Sequence, residues 1–169
     1  MRINVAFLKK ALGDSKHFEL AENLPSIDID GNEVVFKGPA KVSIDVTNAD
    51  THLEVKGTIN TVAQLTCGRC LEKYNFPVDT ELIESYHSAE TGEGNADDES
   101  KPFTGDYIDI EQDVVEAIQL SLPMRQICSE DCKGLCPHCG INRNLEQCDC
   151  KEDDVDPRLA VLKDLFNKK

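Results

Sequence analysis

The sequence predicts an α+β fold: an antiparallel β-rich N-terminal half, followed by a helix, a cysteine-rich segment and a short C-terminal helix. Three observations lead there. Apolar and polar residues alternate through much of residues 1–89, the period of a strand with one buried face. Val114, Val115, Ile118 and Leu122 instead recur at helical spacing and stop before Pro123. Beyond them, six cysteines crowd into CSEDCKGLCPHCGINRNLEQCDC, residues 128–150. At 169 residues one core suffices, and the chain reads as a single domain, 1–169.

The β-rich part, 1–89, opens on Ile3, Val5 and Phe7, which alternate with polar or small residues. Asp30-Gly31-Asn32, between Ile27/Ile29 and Val34-Val35-Phe36, has the chemistry of a hairpin turn. Val42, Ile44 and Val46 alternate with Ser43, Asp45 and Thr47, and a turn at Asn48-Ala49-Asp50 leads into Leu53, Val55 and Ile59. Tyr74, Phe76, Val78 and Leu82 make one row that Tyr86 continues. Such alternation implies an antiparallel sheet with one face packed and one wet. These residues read as core, without direct chemistry.

Residues 90–106, ETGEGNADDESKPFTGD, are acidic and aperiodic, and read as a flexible loop. Residues 107–123 hold the helix. Tyr107-Ile108-Asp109-Ile110 serves as a last short strand or as the helix entry, and Asp109 and Gln112 have capping-box spacing. Residues 156–169 form the C-terminal helix, where Asp156-Pro157 is a cap followed by a first-turn proline. Leu159, Leu162, Leu165 and Phe166 then make a short amphipathic stripe, read first as core packing.

Charge narrows the function. Thirty-two acidic residues against eighteen basic ones give a formal net charge of -14. Nucleic-acid affinity comes largely from Lys and Arg neutralising phosphates, so this chain is a poor candidate for wrapping RNA. It is better suited to meeting something basic. The opening residues, MRINVAFLKKALGDSKHFEL, have no long apolar run and no small-residue cleavage site, so they do not read as a signal peptide. No window reaches the roughly 18 apolar residues of a membrane span. The expectation is a cytoplasmic protein.

The eight cysteines form four close pairs: Cys67/Cys70, Cys128/Cys132, Cys136/Cys139 and Cys148/Cys150. Four disulfides would suit a small secreted domain, whereas clustered cysteines in a reducing compartment bind metal. Residues 124–155 offer few large apolar side chains: Met124, Ile127, Leu135, Ile141, Leu145 and Val155. That is too little apolar surface to order the segment against its conformational entropy. Structural zinc supplies roughly 10–16 kcal/mol in small metal-dependent domains, so the metal would serve as this segment's core.

Eight thiolates suffice for two tetrahedral zinc sites. Cys67, Cys70, Cys128 and Cys132 group as site one, clamping the sheet to the tail. Cys136, Cys139, Cys148 and Cys150 group as a local site two, in which Leu135-Cys136-Pro137-His138-Cys139-Gly140 resembles a zinc knuckle. Spacing leaves open an exchange of pairs, or one site with spare thiols. A catalytic zinc keeps an open position and commonly uses His or a carboxylate. Here thiolates abound, His138 is the histidine inside the cluster, and His17, His52 and His87 lack ligand spacing. The sites read as closed and structural. Cys67-Gly68-Arg69-Cys70 superficially looks like a redox motif, yet the alternating LEKYNFPVDTELIESY that follows reads as strand and not as the required helix.

CGRCL after a strand-rich half, an acidic loop, then EAIQLSLPMRQIC, CKGLCPHCG and DPRLAVLKDL together resemble the YceD family. Its bacterial members are described as large ribosomal RNA subunit accumulation proteins. The likeness runs from the first strand to the last helix. It implies a non-enzymatic role in ribosome biogenesis, supporting synthesis, processing or stability of large-subunit (23S) ribosomal RNA, in the bacterial cytoplasm or a plant organelle. Some family members lack the CKGLCPHCG cluster while keeping a pair like Cys67/Cys70, which would make the C-terminal cysteines a stabilising elaboration. The resemblance brings no catalytic residues.

Residues and resemblance agree on a protein that is not an enzyme, and the residues supply two structural zinc sites. The expected partner is a basic large-subunit ribosomal protein, met partly through Asp97, Asp98 and Glu99, with ribosomal RNA reached indirectly and no small-molecule substrate. Two alternatives stay open: a direct RNA-binding zinc module, which a basic surface face would favour, and a thiol redox or metal-dependent enzyme, which an open coordination position beside a cleft would favour.

Overall fold

The computed structural model describes residues 1–29, 31–89 and 100–150. Among them the chain forms β1 (Arg2–Asn4), a 3-10 turn (Leu8–Lys10), β2 (Ser15–Glu22), β3 (Ile27–Ile29), β4 (Asn32–Phe36), β5 (Ala40–Asn48) and β6 (Leu53–Thr66). β7 (Lys73–Ser88), β8 (Lys101–Phe103), β9 (Tyr107–Asp109) and the helix α1 (Glu111–Ser121) follow. None of these helices is long and apolar enough to cross a membrane.

The alternation becomes an antiparallel sheet with one packed face. Ala40, Val42, Ile44 and Val46 of β5 are buried, as are Leu53, Val55, Ile59, Ala63 and Leu65 of β6 and Val78, Leu82 and Tyr86 of β7. Each Val, Leu or Ile among them adds about 1.5–3 kcal/mol on leaving water. β6 is the spine. β7 pairs with it from Leu53↔Tyr86 to Thr66↔Lys73. The opposite edge of β6 is shared between β5, from Asn48↔Leu53 to Lys41↔Asn60, and β4, at Val35↔Gln64 and Phe36↔Ala63. β2 extends the sheet beyond β5, and β3 hairpins with β4 around Gly31. Where β5 passes β6, a Cβ on Gly57 would lie 2.0 Å from the Ser43 carbonyl oxygen and 2.6 Å from Ile44 Cα. Only glycine fits there.

Helix α1 covers the packed face beside β7, burying Val114 and Ile118. It is pinned by a polar knot: the Tyr86 hydroxyl and the Lys101 ammonium both donate to buried Asp113, and Lys101 also pairs with Glu84 at 3.0 Å. Burial, then the Asp113 carboxylate, push the Tyr86 phenol above its usual range, so it stays a neutral donor.

Four local expectations change. Phe7 is 67% exposed because β1 ends at Asn4 and the chain turns into the 3-10 segment. The stretch 90–106 is not all loop, since Lys101–Phe103 forms β8, parallel to the end of β7, with Phe103 buried. Three residues are too few to display a period. The helix spans Glu111–Ser121 and not 107–123, with β9 pairing β1 ahead of it. Asp109 makes no capping box: Ile110 is the N-cap, and the Asp109 carboxylate accepts from the Met1 ammonium, Arg2 and the Glu111 amide. The C-terminal helix predicted for 156–169 lies outside the described residues.

Candidate metal centres

Cys67 and Cys70 sit where β6 hands over to β7. The Cys67 amide donates to the Glu72 carbonyl (2.9 Å), and the Leu71 amide returns to the Cys67 carbonyl (2.9 Å). The loop at Cys136–Ile141 repeats this wiring: the Cys136 amide donates to Ile141 (2.8 Å), and the Gly140 amide to Cys136 (2.9 Å). In both, the residue after the second cysteine is left-handed, with φ of 61° at Leu71 and 74° at Gly140. Glycine takes that conformation freely, whereas an L side chain costs about 1–2 kcal/mol. CGRCL and CPHCG are therefore two copies of one knuckle.

The partners of the first knuckle arrive from beyond α1. Cys132 Sγ lies 3.9 Å from Cys67 Sγ, and Cys128 Sγ lies 3.7 Å from Cys70 Sγ. Several backbone bonds brace this junction. The Gly68 amide donates to the Gln126 carbonyl (2.8 Å), the Leu135 amide to the Arg69 carbonyl (3.0 Å), and Arg69 Nη1 to the carbonyls of Glu130 and Cys132 (both 3.1 Å). At Gly134, left-handed at φ 71°, a Cβ would meet the Arg69 carbonyl at 3.0 Å.

Site two gathers Cys136, Cys139, Cys148 and Cys150 within one stretch of chain. Leu135 and Asn142 bridge across its knuckle, and the Arg143 amide donates to the Gly134 carbonyl (2.9 Å). Asn144 joins the two sites. Its side-chain nitrogen donates to Cys132 Sγ (3.4 Å), while its oxygen accepts from the Lys133 amide (2.8 Å).

In each set of four, the sulfurs lie within 4.8 Å of one another. A tetrahedral ion with metal–sulfur bonds of about 2.3 Å places its ligands about 3.8 Å apart, so the donors fit one ion per site. Electrostatics point the same way. At Cys67, burial raises the thiol, but the amides of Cys70, Cys128 and Arg69 outweigh it and bring the pKa to about 6. Hydrogen bonding to Cys132, then burial, push Cys128 up to about 12. Site two splits likewise: amides of Cys139 and His138 lower Cys136 to about 6, and the Cys139 side chain, then burial, raise Cys150 to about 12. Four thiolates cannot share so small a space without a cation between them.

The remaining candidates lie apart. His138 is exposed, His17 pairs with Asp45 (2.9 Å), His52 contacts Thr51, and His87 contacts Ser100 (2.7 Å). Asp97, Asp98 and Glu99 fall outside the described residues. The sequence reading passed over Arg69, Gly134 and Asn144, whose roles appear only once the loops meet. The glycine following CxxC in the second knuckle was a legible hint, and Leu71 concealed the same hint in the first.

Comparison with known proteins covers this architecture. An uncharacterized protein of Mycobacterium tuberculosis is 30% identical over 157 residues, covering 92% of this chain and 73% of its own. The large ribosomal RNA subunit accumulation protein YCED homolog 1, chloroplastic, of Zea mays is 30% identical over 158 residues, covering 76% of this chain and 54% of its own. Its namesake in Arabidopsis thaliana is 27% identical over 155 residues, covering 75% and 48%. No solved structure matches. The profile described as "Large ribosomal RNA subunit accumulation protein YceD" matches residues 55–166, from the spine strand through all eight cysteines. The chain belongs to the YceD family.

Proposed function

We propose that this protein is a non-enzymatic ribosome biogenesis factor. It supports the synthesis, processing or stability of large-subunit ribosomal RNA by binding a basic ribosomal protein. The observation that carries the reading is the family match, joined to plant relatives whose printed name is large ribosomal RNA subunit accumulation protein. The net charge of -14 turns that role away from the RNA backbone and toward a cationic protein. Both thiol sets hold structural zinc in this reading, because four soft protein ligands fill a tetrahedral ion and leave no position for substrate. The metal's task is then to hold residues 124–150 against the sheet.

The test is capture by the full chain at low and high salt, with proteins and RNAs both identified. Basic large-subunit proteins should be retained and released by salt, since the Debye length falls from roughly 10 Å at 0.1 M to 3 Å at 1 M. Replacing Asp97, Asp98 and Glu99 with Asn, Asn and Gln should weaken that capture while RNA binding stays flat. Tight RNA binding without any protein partner would overturn the reading in favour of a direct RNA-binding module. Native mass spectrometry of protein made in zinc-replete, reducing conditions should show two zinc ions per chain.

A further inference from the structure

We infer that the open edge of β7, together with the flank of α1, is a docking groove for an extended basic segment of a partner protein, taken up as an added strand. The inference rests on the proposed basic partner and says where on the fold it is met. β6 fills one edge of β7 over its length, whereas β8 covers the other edge at Tyr86–Ser88 alone. Among the described residues, no strand pairs with the outer edge of residues 73–85. Such an edge presents backbone donors and acceptors at the spacing an extended peptide satisfies.

Side chains select the occupant. Along Thr80–Glu84 the edge and α1 enclose a groove. Two large apolar side chains stand in water there, Ile83 at 62% exposure and Leu120 at 87%. Glu81, Glu84 and Glu116 line the same groove. Two cations stand nearby and both are engaged: Lys101, 3.0 Å from Glu84 and 3.8 Å from Glu116, is held by Asp113, and Lys56, directly across from Ile83 on β6, is held by Glu54. Three carboxylates, Glu84, Asp113 and Glu116, thus share one ammonium. A second copy pairing edge to edge would bring the same acids face to face, which opposes self-association. A segment alternating Lys or Arg with aliphatic residues complements both faces of the strand: its aliphatic side chains lie beside Ile83 on the outer face, and on the face toward α1 its cations reach Glu84 and Glu116 with their stems against Leu120.

The experiment uses the full chain and a labelled peptide of about ten residues alternating Lys and Val. The comparison peptides have either Glu in place of Lys or N-methyl groups on every second amide. The Lys peptide should bind and shift the backbone NMR signals of Ile83 and Leu120. The Glu peptide should not bind, and N-methylation should weaken binding about tenfold or more by blocking the strand ladder. Leu120→Ser and Glu116→Gln should each weaken it by about three- to tenfold. Equal affinity for the N-methylated peptide, or affinity unmoved by both variants, would overturn the groove. So would a wild-type dimer that Leu120→Ser converts to monomer, or tighter peptide binding in Leu162→Ser/Phe166→Ser, which assigns the groove to this chain's own tail. If the full chain captures basic ribosomal proteins and the groove variants change nothing, the groove fails while the proposed function stands. If no form captures them, the proposed function fails.

Discussion

The sheet and the cysteine segment solve the same problem with different physics. Along β5 and β6, stability comes from rows of buried aliphatic side chains, each small and all additive. Between Gln126 and Cys150 the buried residues are Cys132, Gly134 and Cys136, none with a large apolar side chain, while Leu145 is 74% exposed and Met124, just before them, fully so. A few strong bonds must replace many weak ones. Site one belongs to both regions, since Cys67 and Cys70 grow out of the β6–β7 hairpin and Cys128 and Cys132 come from beyond the helix. Site two takes no ligand from the sheet. Removal of metal and removal of core packing should therefore damage different parts of the molecule.

Chelation under reducing conditions should have the largest effect. The amides of Cys132, Cys136 and Gly140 should lose hydrogen-exchange protection, while those of Val42–Val46 and Val55–Ile59 keep theirs. The loss in the segment corresponds to roughly 10–16 kcal/mol of metal binding. Uniform loss in both regions would break the comparison and show one cooperative unit.

Gly57→Ala attacks the other side. The added Cβ would press on the Ser43 and Ile44 backbone, and alanine has no rotamer to relieve it. Urea unfolding should report about 3 kcal/mol of destabilisation. Because site two draws all its ligands from residues 136–150, native mass spectrometry should find it still holding one ion when site one empties with the sheet. Simultaneous loss of both ions would mean that site two depends on the sheet after all.

Tyr86→Phe should cost about 1–3 kcal/mol by leaving buried Asp113 one donor short, with metal content unchanged. Its pH signature has a definite sign. The phenol's pKa is raised in the fold, so its contribution is full below the unfolded value of about 10 and is lost as pH rises through the folded one. The variant should consequently lose less stability in alkali than the wild type. Equal alkaline slopes would place the sensitivity elsewhere.

The smallest effect sharpens the likeness of the two knuckles. Leu71→Gly puts into CGRCL the residue that CPHCG already has, relieving a left-handed leucine. Glycine's extra freedom when unfolded offsets part of the gain, so thermal unfolding should report stabilisation of about 1 kcal/mol or less, with two ions retained. A clear destabilisation would show that the 63%-exposed Leu71 side chain makes a contact the knuckle needs.

Legibility followed the length of each pattern. β5 and β7 are nine and sixteen residues long, and a period of two made their core faces directly readable, whereas on the fourteen-residue β6 the reading stopped at Ile59, short of buried Ala63 and Leu65. β8 and β9 have three residues each and are held by what they pair with. Asp109 shows the same limit: its spacing suited a cap, but the neighbouring Met1 ammonium and Arg2 engage its carboxylate.

The sequence by itself determined the strand-rich class, the acidic balance and the supply of thiols in close pairs, because these depend on residue identity and short spacing. Tertiary structure decided which distant loops meet. It laid the Cys67 hairpin against the Cys128 turn, set Asn144 on Cys132 and, among the described residues, left the outer edge of β7 unpaired over residues 73–85. The first of these joins residues about sixty positions apart. No local pattern encodes such a meeting, since it arises only when the buried face of the sheet and the helix across it have found one shared arrangement.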